Sequence, residues 1–565
     1  MTSDKPTATA LVPGQADAEV LACQEGLSFW GGVDPDTGVI IDAHHPDHGA
    51  SLAGRIVLMP TSRGSCSGSG VLLQLARNGH APAALVFRKE ENILTLGAMI
   101  AEQLFDARVV VLRCTRAIYD DLAGADRATI TRDELRFGGR SISLAKLHPD
   151  MLALNDMDRR MLDGQEGAAL EVAMTVLCLM AAAQGAQDLI DVRRGHIDGC
   201  ILAHDANLDF AEKMQQMGAR TRIPTTINAI SVDRENWQSQ NVVPDFGKKA
   251  SRLADAYVKM GARPTFTCAP YLLDEGPVLG EMIGWSESNA VIYANSVIGA
   301  RTVKHPDYLD LFIAMTGRAP NTGVYLDENR VPDHVIDVTL PETHDDALWP
   351  MLGWLAGVRS PSGVPVLTGL KKAQPTEDDL KALCAAFGTT SAAPLIHLRG
   401  HTPEGALAPR DGHERSEITP TDLAVVWRDF NAADAQVDLV AIGSPHASLT
   451  ECRAFADLIA GHTCSTDTIV TVGRDVLAAA RAEGIVERLR DAGVRIIPDI
   501  CWCSITEPVF PPGAQVLMTN SGKYAHYAKG LTGRGVRFGG LADCAHAAIT
   551  GTAAGCLPDW LLLKT

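Results

Sequence analysis

A chain of 565 residues is too long for one hydrophobic core and predicts three or four folded units. Its 46% hydrophobic and 21% charged residues are ordinary globular composition, and a formal net charge of −18 argues against a nucleic-acid partner, which needs a basic surface. The longest apolar run, Ala168–Ala183, is interrupted by Glu171 and falls short of the ~20 residues a bilayer needs, so a buried helix is expected there and no membrane partner.

In chain order, residues 1–20 read as a loose polar lead-in. Asp4, Asp17 and Glu19 deny them the apolar core of a secretory signal, which predicts a cytoplasmic protein. Residues 21–150 read as a small β/α module. It has a Gly-rich turn cluster at 31–38, strands at 39–41, 55–59 and 84–87, a helix over about 70–78, and a final element with a linker over 113–150. From 151 to 565 the texture is strand–helix alternation, which predicts two or three α/β subdomains with mostly parallel sheets. Its clearest strands are predicted at 437–442, 468–472, 494–497, 515–518 and 536–538. Ligands in such sheets bind outside the carboxyl ends of the strands.

The residues at those ends are reactive types. They include Gly443-Ser444-Pro445-His446, Cys501-Trp502-Cys503, Asn520-Ser521-Gly522-Lys523 and Asp543-Cys544, with Thr267-Cys268 after an earlier strand. Gly, Ser, Pro and Asn are also what ordinary turns use, so composition alone leaves both readings open. Thirteen cysteines in a chain of this size read mostly as core filler, as for Cys178 and Cys384 in apolar helices. Cys501 and Cys503 stand one residue apart with no matching pair, which is not a zinc-ribbon spacing. Three distant thiolates on one rim instead suit an iron–sulfur cluster with one iron open to substrate as a Lewis acid. A further loop, Thr61 through Gly70, is rich in Ser and Gly and opens a helix beside Arg63, without the Gly-Lys-Ser/Thr ending of a nucleotide loop. It suits a carboxylate or phosphate, or is simply a capped helix start.

Several motifs in one order carry a resemblance. They are Ser28-Phe29-Trp30-Gly31-Gly32, Arg63 through Gly70, His196-Ile197-Asp198-Gly199-Cys200 and Thr267-Cys268-Ala269-Pro270-Tyr271. Trp285-Ser286-Glu287-Ser288-Asn289-Ala290, Asn295 through Arg301 and Thr519-Asn520-Ser521-Gly522-Lys523 complete the set. From about Val12 to near the C-terminus the chain resembles the aconitase X family. The resemblance implies an α/β, aconitase-like multidomain enzyme with an N-terminal swivelling β/α domain, here fused to the large catalytic part. It also implies a hydro-lyase. The fused layout resembles the branch converting cis-3-hydroxy-L-proline to Δ1-pyrroline-2-carboxylate and water, whereas an archaeal branch acts on mevalonate 5-phosphate.

The same resemblance implies an iron–sulfur cluster, 2Fe-2S or 4Fe-4S, held by Cys268, Cys501 and Cys544, with Cys503 as a rival to Cys501. By analogy with aconitase-like enzymes, Ser65 is the expected base and Lys523 its cationic support. Arg63, Gly64, Cys66, Ser288, Asn289, His446, Asn520 and Ser521 are expected to line the substrate site. The expected partner is a small hydroxy amino acid, and the oligomeric state stays open. An iron-sensing RNA-binding regulator and a structural zinc protein are the competing readings.

Overall fold

In the first strands small apolar residues alternate with polar ones, Ala8-Thr9-Ala10 and Ala16-Asp17-Ala18-Glu19, with the alanines buried and both acids exposed. This computed structural model describes residues 8–554 and 556–562. Strands β1 (Ala8–Val12) and β2 (Ala16–Ala22) therefore replace most of the lead-in expected over 1–20, whose residues 1–7 lie outside the described ones. Alanine-based strands lack the β-branched signal by which a strand is recognised, so the stretch reads as polar.

The small module is one nine-stranded sheet in the order β8-β7-β6-β2-β3-β4-β5-β1-β9. Its parallel centre is β2, β3 (Ile56–Met59), β4 (Ala84–Phe87) and β5 (Val110–Cys114). Helices α1 (Gly68–Asn78), α2 (Ile93–Phe105) and α3 (Arg116–Ala123) connect and flank these strands. β1 runs antiparallel to β5. The stretch expected as a linker instead builds an antiparallel meander, β6 (Arg127–Ile130), β7 (Glu134–Phe137) and β8 (Arg140–Ser143), followed by β9 (Ala145–Lys146). Its alternating Leu135 and Phe137 bury a face that charged neighbours hide in the sequence. Residues 39–41 form no strand; isolated bridges Val33↔Ile40 and Val39↔Ser51 close a loop there.

Contacts divide the chain into two units. The first comprises Met1–Thr225, Asp255–Ala262 and His305–Thr322; the second comprises Thr226–Ala254, Arg263–Lys304 and Gly323–Thr565. The apolar helix Ala168–Ala183 belongs to the first unit, and Arg113 of β5 donates to the carbonyl of Ala183 at 2.8 Å. Met174, Val176, Leu177 and Met180 on that helix have no exposed surface, as a nearly continuous apolar run requires. Among the described residues no helix is long and apolar enough to cross a membrane.

The second unit holds two wholly parallel sheets. One has four strands, in the order His397–Leu398, Pro365–Thr368, His334–Val338, Glu414–Ile418. The other has five, in the order Val494–Pro498, Asp467–Val472, Leu439–Ile442, Val516–Thr519, Gly535–Phe538. The five strands agree with the predicted ones to within two residues at each end. Their order reverses between Leu439–Ile442 and Val516–Thr519, so the loops leaving those neighbours open a crevice at the switch point. Those loops carry Ser444-Pro445-His446 and Asn520-Ser521-Gly522-Lys523.

Candidate active site

Two loops of the second unit bring thiols together. Cys268, Cys501 and Ala229 form a buried cluster, with Cys503 packed against it. The Cys501 thiol lies within hydrogen-bonding reach of both the Cys268 and the Cys503 thiols. Each loop approaches through a left-handed residue that is not glycine, Phe266 at φ +42° and Asp499 at φ +72°. Such conformations cost about 1–3 kcal/mol and persist where surrounding contacts over-determine them. Here Asp499 is fully buried, and its carboxylate takes two 2.7 Å hydrogen bonds from Arg474 and a third from the Arg234 N–H.

Cys544 is elsewhere. It sits on the helix Leu541–Thr550, wholly buried in an apolar core with Val440, Met518 and Ala547. The rival Cys503 takes its place beside Cys268 and Cys501. The sequence misleads because Cys544 also follows a strand, yet one turn of helix turns its side chain into the core.

Facing the thiols is a buried ion pair. Lys523 Nζ donates to Glu287 Oε1 at 2.8 Å. Glu287 also accepts from Asn289 at 2.6 Å and from Asn228 at 3.2 Å. Burial alone would raise the Glu287 pKa, but Lys523 and the two amides outweigh it and bring it down to about 2. Burial likewise favours a neutral Lys523, yet the Glu287 carboxylate holds it charged, well above the usual lysine range. The Cys268 interaction and burial push the Cys501 thiol up, so it is a protonated thiol until a cation displaces the proton. Glu287 stood in a quoted motif without a role; its neighbours Ser288 and Asn289 were assigned instead.

His446 is wholly buried behind the thiols, and its peptide N–H donates to Cys268 Sγ at 3.3 Å. Nε2 faces the carbonyl of Ile500 at 2.9 Å and must carry the proton, so Nδ1 accepts from the Thr267 hydroxyl at 3.2 Å. Burial lowers its pKa to about 4 and keeps the ring neutral. Asn289 is structural as well: its amide donates to the Cys268 carbonyl at 3.1 Å, and Tyr271 donates to it at 2.9 Å. Ser521 caps the helix Gly522–Thr532 by accepting from the Tyr524 N–H, and its hydroxyl donates to the Ser444 carbonyl. These three expected substrate contacts therefore spend their polar groups on the scaffold. Ser288, at the start of the helix Ser288–Tyr293, and Asn520 are half-buried at the rim.

In the first unit the loop before α1 is shaped by Gly64, at φ +91°, where a Cβ would fall 2.2 Å from Ser28 Oγ. Ser65 Oγ accepts from the Ser67 N–H at 3.3 Å. Arg63, expected to hold a carboxylate, is half-exposed and engaged by Glu25 at 3.3 Å and Asp42 at 3.2 Å, pairings that water weakens. Cys66 donates to Asp198 at 3.3 Å, and ligand atoms of Cys66, Asp198 and Asp307 all lie within 4.8 Å of one another, a spacing that fits a cation. Neither aspartate had been singled out, though His196 through Cys200 was among the quoted motifs.

Four family models match in succession: the aconitase X swivel domain at 5–137, first domain at 151–328, second domain at 332–428 and third domain at 437–550. The chain belongs to the aconitase X family. The chain is 45% identical to the cis-3-hydroxy-L-proline dehydratase of Pseudomonas aeruginosa, over 98% of this chain and 97% of that one. It is 43% identical to the enzyme of the same name from Hypocrea jecorina, over 96% and 95%. A crystal structure of Thermococcus kodakaraensis aconitase X in its holo form superposes with a TM-score of 0.65 at 32% identity, covering 70% of this chain and all of that one. This aconitase X chain thus carries the swivel module and the large part in one polypeptide, and the hydro-lyase class and aconitase-like fold expected from the motifs hold.

Proposed function

We propose that this aconitase X chain removes water from cis-3-hydroxy-L-proline through an iron–sulfur group held by Cys268, Cys501 and Cys503. The observation that carries the reading is the trio of thiols on two loops, Cys268 and Cys501 buried and Cys503 half-buried, opposite a charged Lys523. Soft sulfur donors suit iron–sulfur ligation, and a nearby cation offsets the thiolate charge. A Cys3His zinc site is disfavoured, because the adjacent imidazole of His446 spends both nitrogens on Thr267 and Ile500. Support for the substrate comes from end-to-end similarity to single-chain enzymes of that name. Thirteen cysteines, all free in the described structure, suit a cytoplasmic setting where thiols stay reduced.

When bound, the group supplies a Lewis-acidic iron for the departing C3 hydroxyl. The rest falls to side chains. Lys523, kept as an ammonium by Glu287, binds the substrate carboxylate. Ser65 Oγ, as an alkoxide supported by the backbone N–H of Ser67, takes the C2 proton and hands it to the departing hydroxide. Loss of the C2 proton and the C3 hydroxyl gives an enamine and water, and the enamine tautomerises to Δ1-pyrroline-2-carboxylate.

The test is anaerobic purification, with iron and acid-labile sulfide counted per chain, followed by assay against cis-3-hydroxy-L-proline and mevalonate 5-phosphate. A coloured protein that forms pyrroline carboxylate from the first and leaves the second untouched is expected. Turnover of the phosphate ester alone overturns the substrate assignment. A chain that takes up no iron on reconstitution overturns the cofactor.

A further inference from the structure

His446 bridges the two thiol loops at the residues immediately before their cysteines. One ring nitrogen engages Thr267, which precedes Cys268; the other engages the carbonyl of Ile500, which precedes Cys501. Its own peptide N–H points at Cys268 Sγ. The following peptide is fixed from behind: Lys381 Nζ reaches the His446 carbonyl at 3.5 Å, and the next residue, Ala447, donates to the Thr471 carbonyl at 3.0 Å. Lys381 is buried and paired with Asp378 and Glu451, so the strut that holds the peptide is itself anchored. On the far side Gly473 leaves room for the arrangement, since a Cβ there would stand 3.1 Å from Thr267 Oγ1.

We infer that His446 is a positioning residue that sets the spacing of Cys268 and Cys501 for a sulfur-bound metal group, and that its peptide N–H tunes the Cys268 sulfur. The inference rests on the thiol site proposed above. A second imidazole nitrogen normally orients one metal ligand from behind; here one neutral ring orients two loops without touching the metal. Hydrogen bonds to cluster sulfurs raise the reduction potential, so the peptide donor is part of the electronic setting as well as the geometry.

Two variants of the full-length chain test this, His446→Ala and the gentler Thr267→Val, which removes the ring's hydroxyl partner together with the acceptor of the Ala269 N–H. The rate of iron loss to a chelator is read on the loaded proteins. Cadmium binding is read on the metal-free proteins by thiolate charge-transfer absorbance, with Cys501→Ser as the blank. Loss of an outer-shell partner costs about 10–100-fold in metal affinity, so iron release about tenfold faster and cadmium binding about tenfold weaker are expected for Thr267→Val, with its thermal midpoint close to that of the parent. If His446→Ala does not fold, Thr267→Val decides alone. Iron release and cadmium affinity unchanged in Thr267→Val overturn the inference. If the parent takes up no iron, the cluster reading fails, and the cadmium measurement still decides the role of His446.

Discussion

At the scale of single residues, the structure separates groups that the sequence presents alike. Cys501→Ser should abolish iron uptake and visible absorbance, whereas Cys544→Ala should keep both and lower the urea-unfolding free energy by about 1 kcal/mol through a small cavity. Loss of iron in the second variant would return Cys544 to the ligand set. Ser65→Ala is expected to lower turnover by about 10²–10⁴-fold with cluster absorbance intact; equal loss of colour would make Ser65 a structural residue. Why do Cys268 and Cys501 meet as the sequence suggests while Cys544 does not join them? Cys501 and Cys544 both follow strands, the stretch expected as a strand before Cys268 forms only an isolated bridge at Arg263, and a one-dimensional pattern cannot show that Cys544 lies within a helix whose face it shares with Ala545, Ala547 and Ala548. His446, Asn289 and Ser521 are candidates in the sequence for the same reason, yet their orientation was not legible there. Each polar group turned toward a backbone partner supplied by a distant segment.

At the scale of elements, parallel strands followed by loops of Ser, Asn and Cys were readable because buried β-branched runs have a clear signature. The alanine strands β1 and β2 were not, since their apolar content is small and their register is set by partners far away. The loop before α1 depends on Gly64; Gly64→Ala places a methyl against Ser28 Oγ in a left-handed backbone. We expect it to cost about 1–3 kcal/mol and to reduce turnover without changing iron content, measured by urea unfolding and steady-state assay. The helix Leu309–Thr316 begins with a buried carboxyl, Asp310, that accepts from the Asp198 N–H at 2.6 Å. Burial, with Asp307 nearby, raises its pKa to about 7. A group whose folded pKa lies above its unfolded value of about 4 stabilises the fold below that value, and the stabilisation is lost as pH rises through about 7. Stability of the parent should therefore decline between about pH 4 and 7 by up to about 4 kcal/mol from this group, and Asp310→Asn should remove that part of the decline. Parallel pH profiles for the two proteins would sink the assignment.

For the molecule as a whole, the alternation of strands and helices made the fold class legible, and the order of motifs made the family legible. Which segments pack together was not legible, because helix Ala168–Ala183 and the segments Asp255–Ala262 and His305–Thr322 join the first unit across long stretches of sequence. The thiol loops share that non-local character. Cys268 and Cys501 are more than two hundred residues apart, with the whole four-stranded sheet and most of the five-stranded one encoded between them. A nascent chain owns only one of the three sulfurs until Cys501 and Cys503 have been synthesised and their strand has paired. On the proposed thiol site, loading with iron would then be a late event in biosynthesis, open only once both loops have been made.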